Sequence, residues 1–326
     1  MNKITVSAPG KLMLFGEHAV VYGHPCIVTA VDQRMFVTAE ITNTGKFELE
    51  APDVKVSSYK KLISEIGNGE IPKGAQFIEA ATKNILKKYK PNLTGLSVTT
   101  RSEFSSQFGF GSSSASTVCV VKALSELLNL KLSEKQLFDV AFKTVLDIQG
   151  KGSGFDVAAG VYGGTLYYIA GGKVIEPLSI KTLPLIVGYS GVKADTVTLI
   201  NQVADRAVKY PHLIEGMYKI INSIVKEAKP LVEKKDFENL GLLMNINQGM
   251  LESMGVSIDK LSQMIYAARD NGAYGAKLSG AGGGDCIIAL APAKNVSKIA
   301  KAIERVGGTI IKVKANTEGV RVEKNK

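Results

Sequence analysis

Apolar and polar residues alternate over residues 4–6, which predicts a short strand. The glycine-bearing stretch 10–23 interrupts the pattern, and strand-like runs resume at 26–31 and 34–41. From 72 to 89 the period changes, with Phe77, Ala80, Ala81, Ile85 and Leu86 at helical spacing. Residues 93–100 alternate again as a strand. Residues 115–130 place Val118, Val121, Leu124 and Leu128 on one helical face. Ser133 followed by Gln136 is a capping-box signature, opening a helix that runs to about Ile148 and stops at Gly150.

Residues 150–164 are glycine-rich and lead into a strand at 165–170, with another at 183–189. Residues 196–270 read as mostly helical, with breaks near Pro211, Pro230 and Gly255. Ser257 is expected to cap the helix that ends near Gly272. A strand at 286–290, a helix at 293–306 and edge-like strands at 309–314 and 319–322 complete the pattern. Strands, then helices, then strands predict an α+β chain of two lobes. The seam falls in 171–185, dividing residues 1–180 from 181–326.

The composition (45% hydrophobic, 21% charged) excludes a disordered chain. No apolar run is long enough for a membrane helix, and the N-terminus lacks the apolar core of a signal peptide. The expectation is a cytoplasmic protein without a membrane partner. Cys26, Cys119 and Cys286 are scattered and form neither a disulfide framework nor a zinc pattern. The net charge of +10 raises the question of a nucleic-acid partner. The basic residues, however, are spread in short pairs such as Lys60-Lys61, Lys87-Lys88 and Lys234-Lys235, and none forms a stripe interleaved with aromatics. A solvated surface is the better reading. A small anionic substrate suits the charge equally well, and no nucleic-acid partner is expected. His24 and His212 read as structural or surface residues.

Three glycine-rich stations carry candidate chemistry. Gly109-Phe110-Gly111-Ser112-Ser113-Ser114 lies between a strand and a helix, where glycine-shaped backbone and unpaired helix N–H groups can hold a phosphate. No Gly-Lys pair is followed by Ser or Thr, and position 114 lacks the third glycine of a dinucleotide fingerprint. Neither a Walker loop nor a Rossmann motif is therefore present. The second station sets Lys11, Glu17 and His18 among glycines at 8–23. The third, 277–285, has four glycines in the five positions 280–284, which suits close backbone approach to a ligand.

Taken together and in this order, the stations resemble the GHMP kinases, the small-metabolite kinases that include galactokinase, homoserine kinase, mevalonate kinase and phosphomevalonate kinase. The resemblance spans essentially the whole chain. It implies a ribosomal-S5-like N-terminal lobe, a ferredoxin-like C-terminal lobe, and ATP between them. The nucleotide loop would comprise Ser106, Gln107, Phe108, Gly109, Phe110, Gly111, Ser112, Ser113 and Ser114. Asp156 matches the family's catalytic aspartate, with Lys11 as its helper, and Ser113 matches a serine that holds Mg²⁺. Lys11, Glu17, His18, Asp156, Thr196, Ser279, Gly280 and Ala281 match the substrate side. A homodimer is compatible with the family.

Residues 11–23, 190–196, 247–257 and 275–282 are most similar to the mevalonate-kinase branch, which implies ATP-dependent phosphorylation of the mevalonate 5-hydroxyl in isoprenoid synthesis. Ser153-Gly154-Phe155-Asp156-Val157-Ala158 and Gly284-Asp285-Cys286 lean toward phosphomevalonate kinase. Asp195, beside Thr196, would repel a second phosphate and so favours mevalonate. Two departures stand out. Ser105 and Gln107 replace the usual proline and first glycine of the phosphate loop. Val145 replaces the glutamate that is the companion metal ligand in mevalonate kinases, and Asp147 lies about 200° round the helix from it. A nucleotide- or isoprenoid-binding regulator without turnover is the non-enzymatic alternative. Val145 favours it; the intact Lys11, Ser113 and Asp156 oppose it.

Overall fold

The computed structural model describes residues 2–324. Its first layer is an eight-stranded sheet built on two long antiparallel strands, β1 (Lys3–Phe15) and β2 (Pro25–Ile41). Both are longer than the alternation suggested. β1 continues through Ala8-Pro9-Gly10 with a register shift between Pro9 and Gly10, and β2 carries the two predicted runs as one strand. β1 is buried on both faces from Val6 to Phe15, so the alternation fades where the burial is complete. The sheet is extended by β3 (Lys46–Ala51), β4 (Val56–Leu62), β5 (Leu96–Ser102), β6 (Thr165–Ile169) and β7 (Val174–Pro177).

Helices α1 (Gln76–Tyr89), α2 (Ser112–Leu127), α3 (Glu134–Gln149) and α4 (Phe155–Tyr162) complete this lobe, with α2 packed on β1 and β2. The Ser133–Gln136 capping box forms as expected, and α3 ends on Gly150. Helix α4 lies inside the stretch read only as glycine-rich. Val157, Ala158, Ala159, Gly160 and Val161 are all buried, so α4 has no polar face to reveal its period.

The second layer is a four-stranded antiparallel sheet of β8 (Leu185–Tyr189), β9 (Gly275–Ser279), β10 (Cys286–Leu290) and β11 (Thr309–Ile311), in the order β11-β8-β10-β9. Between β8 and β9 run α5 (Thr196–Lys209), α6 (Pro211–Lys234), α7 (Phe237–Ser253) and α8 (Asp259–Asp270), and α9 (Val296–Arg305) precedes β11. Strand, helices, strand, strand, helix, strand is the ferredoxin-like order.

Two expected signals differ. Pro230 sits within α6 without breaking it: Pro230 and Lys226 are both exposed, so water can serve the carbonyl that the proline leaves unpaired. Ser257 does not cap α8; its hydroxyl bonds Gln248 Nε2 (3.1 Å) and Ser262 Oγ (3.0 Å).

The chain passes between the lobes twice. After β11 it returns to the first sheet, where β12 (Arg321–Val322) pairs with β1, Val322 opposite Val6. The buried Arg34 guanidinium clamps this return, donating to Gly319 O (2.7 Å), Glu318 O (3.1 Å), Ser7 O (3.0 Å) and Ser7 Oγ (2.7 Å). Asn316, with φ +65°, donates from Nδ2 to Ile180 O (2.7 Å) and Lys181 O (3.2 Å), on the outward passage.

Candidate active site

A cavity of about 610 Å³ opens between the lobes. Its floor is the 109–114 loop. Gly109 and Gly111 take φ of +71° and +79°. A Cβ on Gly109 would lie 2.4 Å from Asp285 Oδ2, so only glycine fits there. Gly111 is the N-cap of α2, and no side chain caps that helix, which leaves first-turn N–H groups free for an anion. The loop rests on aromatic packing: Phe110 is buried against Phe104 and Phe108, both at 5.7 Å between ring centroids, and Phe108 packs on Tyr189 at 5.1 Å.

Lys11 enters the cleft from β1. Its amide donates to Phe110 O (3.0 Å) and its Nζ to Gly109 O (2.7 Å), so strand and loop are fixed together at both ends of the residue. Burial lowers the Lys11 ammonium below the ordinary lysine range, while the Asp156 and Asp285 carboxylates pull it back up. Asp156 stands in the first turn of α4, and Ser114 Oγ donates to its Oδ2 at 2.5 Å. The turn into α4 requires Gly154 at φ +87°, where a Cβ would meet Tyr168 Oη at 2.7 Å and Phe142 at 2.8 Å.

The cleft brings together Lys11, Ser106, Gly109, Gly111, Ser112, Ser113, Ser114, Asp156, Thr196, Gly280 and Ala281. Gln107, Phe108, Phe110, Glu17, His18 and Ser279 do not line it. Gln107 accepts from Tyr189 Oη at 3.4 Å, and the two phenylalanines support the loop from beneath. Ser279 is occupied by β1, donating to Met13 O and accepting from Met13 N–H, both at 3.0 Å. His18 Nε2 meets Ala281 O at 2.9 Å. Glu17 and Lys277 form an ion pair with both side chains fully buried. Desolvation raises the Glu17 carboxyl and lowers the Lys277 ammonium, each against the pull of its partner. These residues hold Gly280 and Ala281 in place from behind.

Val145 faces the cleft and is 2% exposed. Asp147 points elsewhere, bonding Lys143 Nζ (2.7 Å) and Asn84 Nδ2 (2.9 Å). No group of three His, Cys, Asp or Glu side chains suited to a metal occurs among the described residues. The Ser113 hydroxyl and Asp156 carboxylate are hard oxygen donors of the kind Mg²⁺ takes alongside substrate phosphates. Sequence reasoning did not assign Lys193 or Asp285, which also line the cleft and pair at 3.2 Å. The available signal was an acidic residue ending a run of glycines.

Residues 76–164 match the GHMP kinases N terminal domain family and residues 228–309 the GHMP kinases C terminal family. The chain belongs to the GHMP kinases. It is 39% identical to a mevalonate kinase of Pyrococcus abyssi over 331 residues, 98% of each chain. Its fold is similar to L. major mevalonate kinase solved in complex with R-mevalonate (27% identity, TM-score 0.77, covering 98% of this chain and 96% of that one). Streptococcus pneumoniae phosphomevalonate kinase shares the fold (TM-score 0.78, 97% and 100% covered) at 18% identity. No helix among the described residues is long and apolar enough to cross a membrane.

Proposed function

We propose that this chain is an ATP-dependent kinase that phosphorylates the 5-hydroxyl of mevalonate. The observation that carries phosphoryl transfer is the 2.5 Å contact of Ser114 with Asp156, which sets a carboxylate directly against the phosphate loop. The mevalonate acceptor is supported by likeness to mevalonate kinases along nearly the full length of both chains. The phosphomevalonate reading suggested by residues 153–158 has support only at the level of fold.

An unaided primary alcohol holds its proton too tightly to attack ATP. Asp156 accepts that proton as the new P–O bond forms. Lys11, fixed on Gly109 O, offsets charge on the reacting oxygens. The free amides of the 109–114 loop bind phosphate oxygens. Thr196, Gly280 and Ala281 form the acceptor side, braced by His18, Ser279 and the Glu17–Lys277 pair. Ser113 would hold Mg²⁺, which neutralises phosphate charge when bound. At the rim, the Asp195 carboxyl is held below its ordinary range by the Thr198 hydroxyl and amide, and a charged group there disfavours a phosphorylated acceptor.

The test is ADP release from Mg-ATP with mevalonate, 5-phosphomevalonate, homoserine or galactose. Turnover on mevalonate alone is expected. Turnover on phosphomevalonate instead would overturn the acceptor assignment.

A further inference from the structure

Asp285 is an uncommon residue for its position. It has φ +55° without being glycine, and it is 8% exposed. The backbone around it is tied down: Asp285 N–H donates to Val192 O (2.7 Å), and Ser190 N–H donates to Asp285 O (2.9 Å). Its carboxylate serves two neighbours. Oδ1 accepts from the Ala194 amide (3.0 Å) and from Lys193 Nζ (3.2 Å). Oδ2 lies against Gly109, as close as 2.4 Å to where a Cβ would stand. One carboxylate thus spans from the Lys193 ammonium to the phosphate loop.

A bare carboxylate at a loop built to hold phosphates would repel them. Lys193 cancels that charge, yet its side chain is 49% exposed at the cleft. Lys11, by contrast, is buried and committed to Gly109 O.

We propose that Lys193 is a second phosphate-binding cation of the cleft and that Asp285 is the positioning residue that keeps its ammonium beside Gly109 until the anion arrives. The inference rests on the kinase reading for the identity of the anion, the polyphosphate of ATP. On binding, Lys193 shifts its hydrogen bond from Asp285 to a phosphate oxygen, while the Ala194 amide keeps its bond to Asp285 Oδ1.

Equilibrium binding of ATP and of adenosine, measured by calorimetry without acceptor, tests this. Lys193→Met is expected to weaken ATP about tenfold or more, the effect of losing a charged hydrogen bond, and to leave adenosine unchanged. Lys193→Arg is expected to restore most of the ATP affinity. Combining Lys193→Met with Asp285→Asn is expected to recover part of the loss, because the bare carboxylate is then gone; Asn tolerates positive φ and retains an acceptor for the Ala194 amide. ATP affinity within about twofold of wild type in Lys193→Met would overturn the proposal. So would equal weakening of adenosine, which would mark a disrupted loop, or a double variant no better than the single. Wild-type turnover on mevalonate is read separately, so failure of the acceptor assignment leaves these binding results interpretable.

Discussion

Two buried lysines, one lining the cleft and one behind its wall, each stand near a carboxylate, and they do different work. Lys277 and Glu17 close on each other with both side chains out of solvent. Lys11 faces Asp156 across the cavity but gives its hydrogen bond to a backbone carbonyl. Burial disfavours the charged form in both lysines. At 277 the pairing answers that cost within the protein and braces the wall. At 11 the charge stays directed at open space where a phosphoryl group can develop negative charge. The cost of burial is thus structural in one place and functional in the other.

The sharpest way to break this contrast is at the acid of the open pair. Asp156→Asn should lower kcat by about a thousandfold or more while leaving ATP affinity and melting temperature close to wild type. Preserved turnover would remove Asp156 from the role of base. The closed pair should respond in the opposite sense. Lys277→Met leaves a buried carboxylate unpaired and should destabilise folding by about 3–5 kcal/mol in denaturant titrations. Adding Glu17→Gln should recover much of that, whereas additive losses would show that the pair is not a unit.

A pH profile sharpens the comparison further. Lys11 has a lowered pKa, so its charged form is lost as pH rises, and sooner than for a lysine at the ordinary value of 10.5. The alkaline limb of kcat/KM should therefore begin below that value, and Lys11→Met should abolish the limb along with most activity. The smallest effect is expected at Val145. Val145→Glu should lower the Mg²⁺ concentration needed for half-maximal rate by a fewfold, about the size of one added oxygen ligand in a polar cleft. An unchanged requirement would mean that the metal is held without this position.

Much of the architecture was legible because surface helices advertise their period and caps. Ser133, Gln136 and Gly150 marked α3 at both ends. Burial on all sides erased the same signal in α4, and Ala8-Pro9-Gly10 resembles a turn although it lies within β1. The site divided in a similar way. The 109–114 loop could be found because glycines and a helix start leave a local trace, whereas Asp156 was singled out only through the family resemblance. Whether Glu17, His18 or Ser279 faced the cleft or the protein behind it depended on partners more than 250 positions away, such as Lys277 for Glu17 and Met13 for Ser279. Asp285 matters through Gly109 and Lys193, neither of them near it in sequence.

The return of the chain to its first sheet has a mechanical consequence. Two covalent passages join the lobes, and Asn316 on one bonds Ile180 and Lys181 on the other. Sliding one lobe past the other would strain both passages at once, whereas rotation about that junction would not. Non-covalent ties away from that junction, among them Ser279 to Met13, Glu17 to Lys277 and Lys151 Nζ to Asn201 Oδ1 at 2.5 Å, oppose such a rotation.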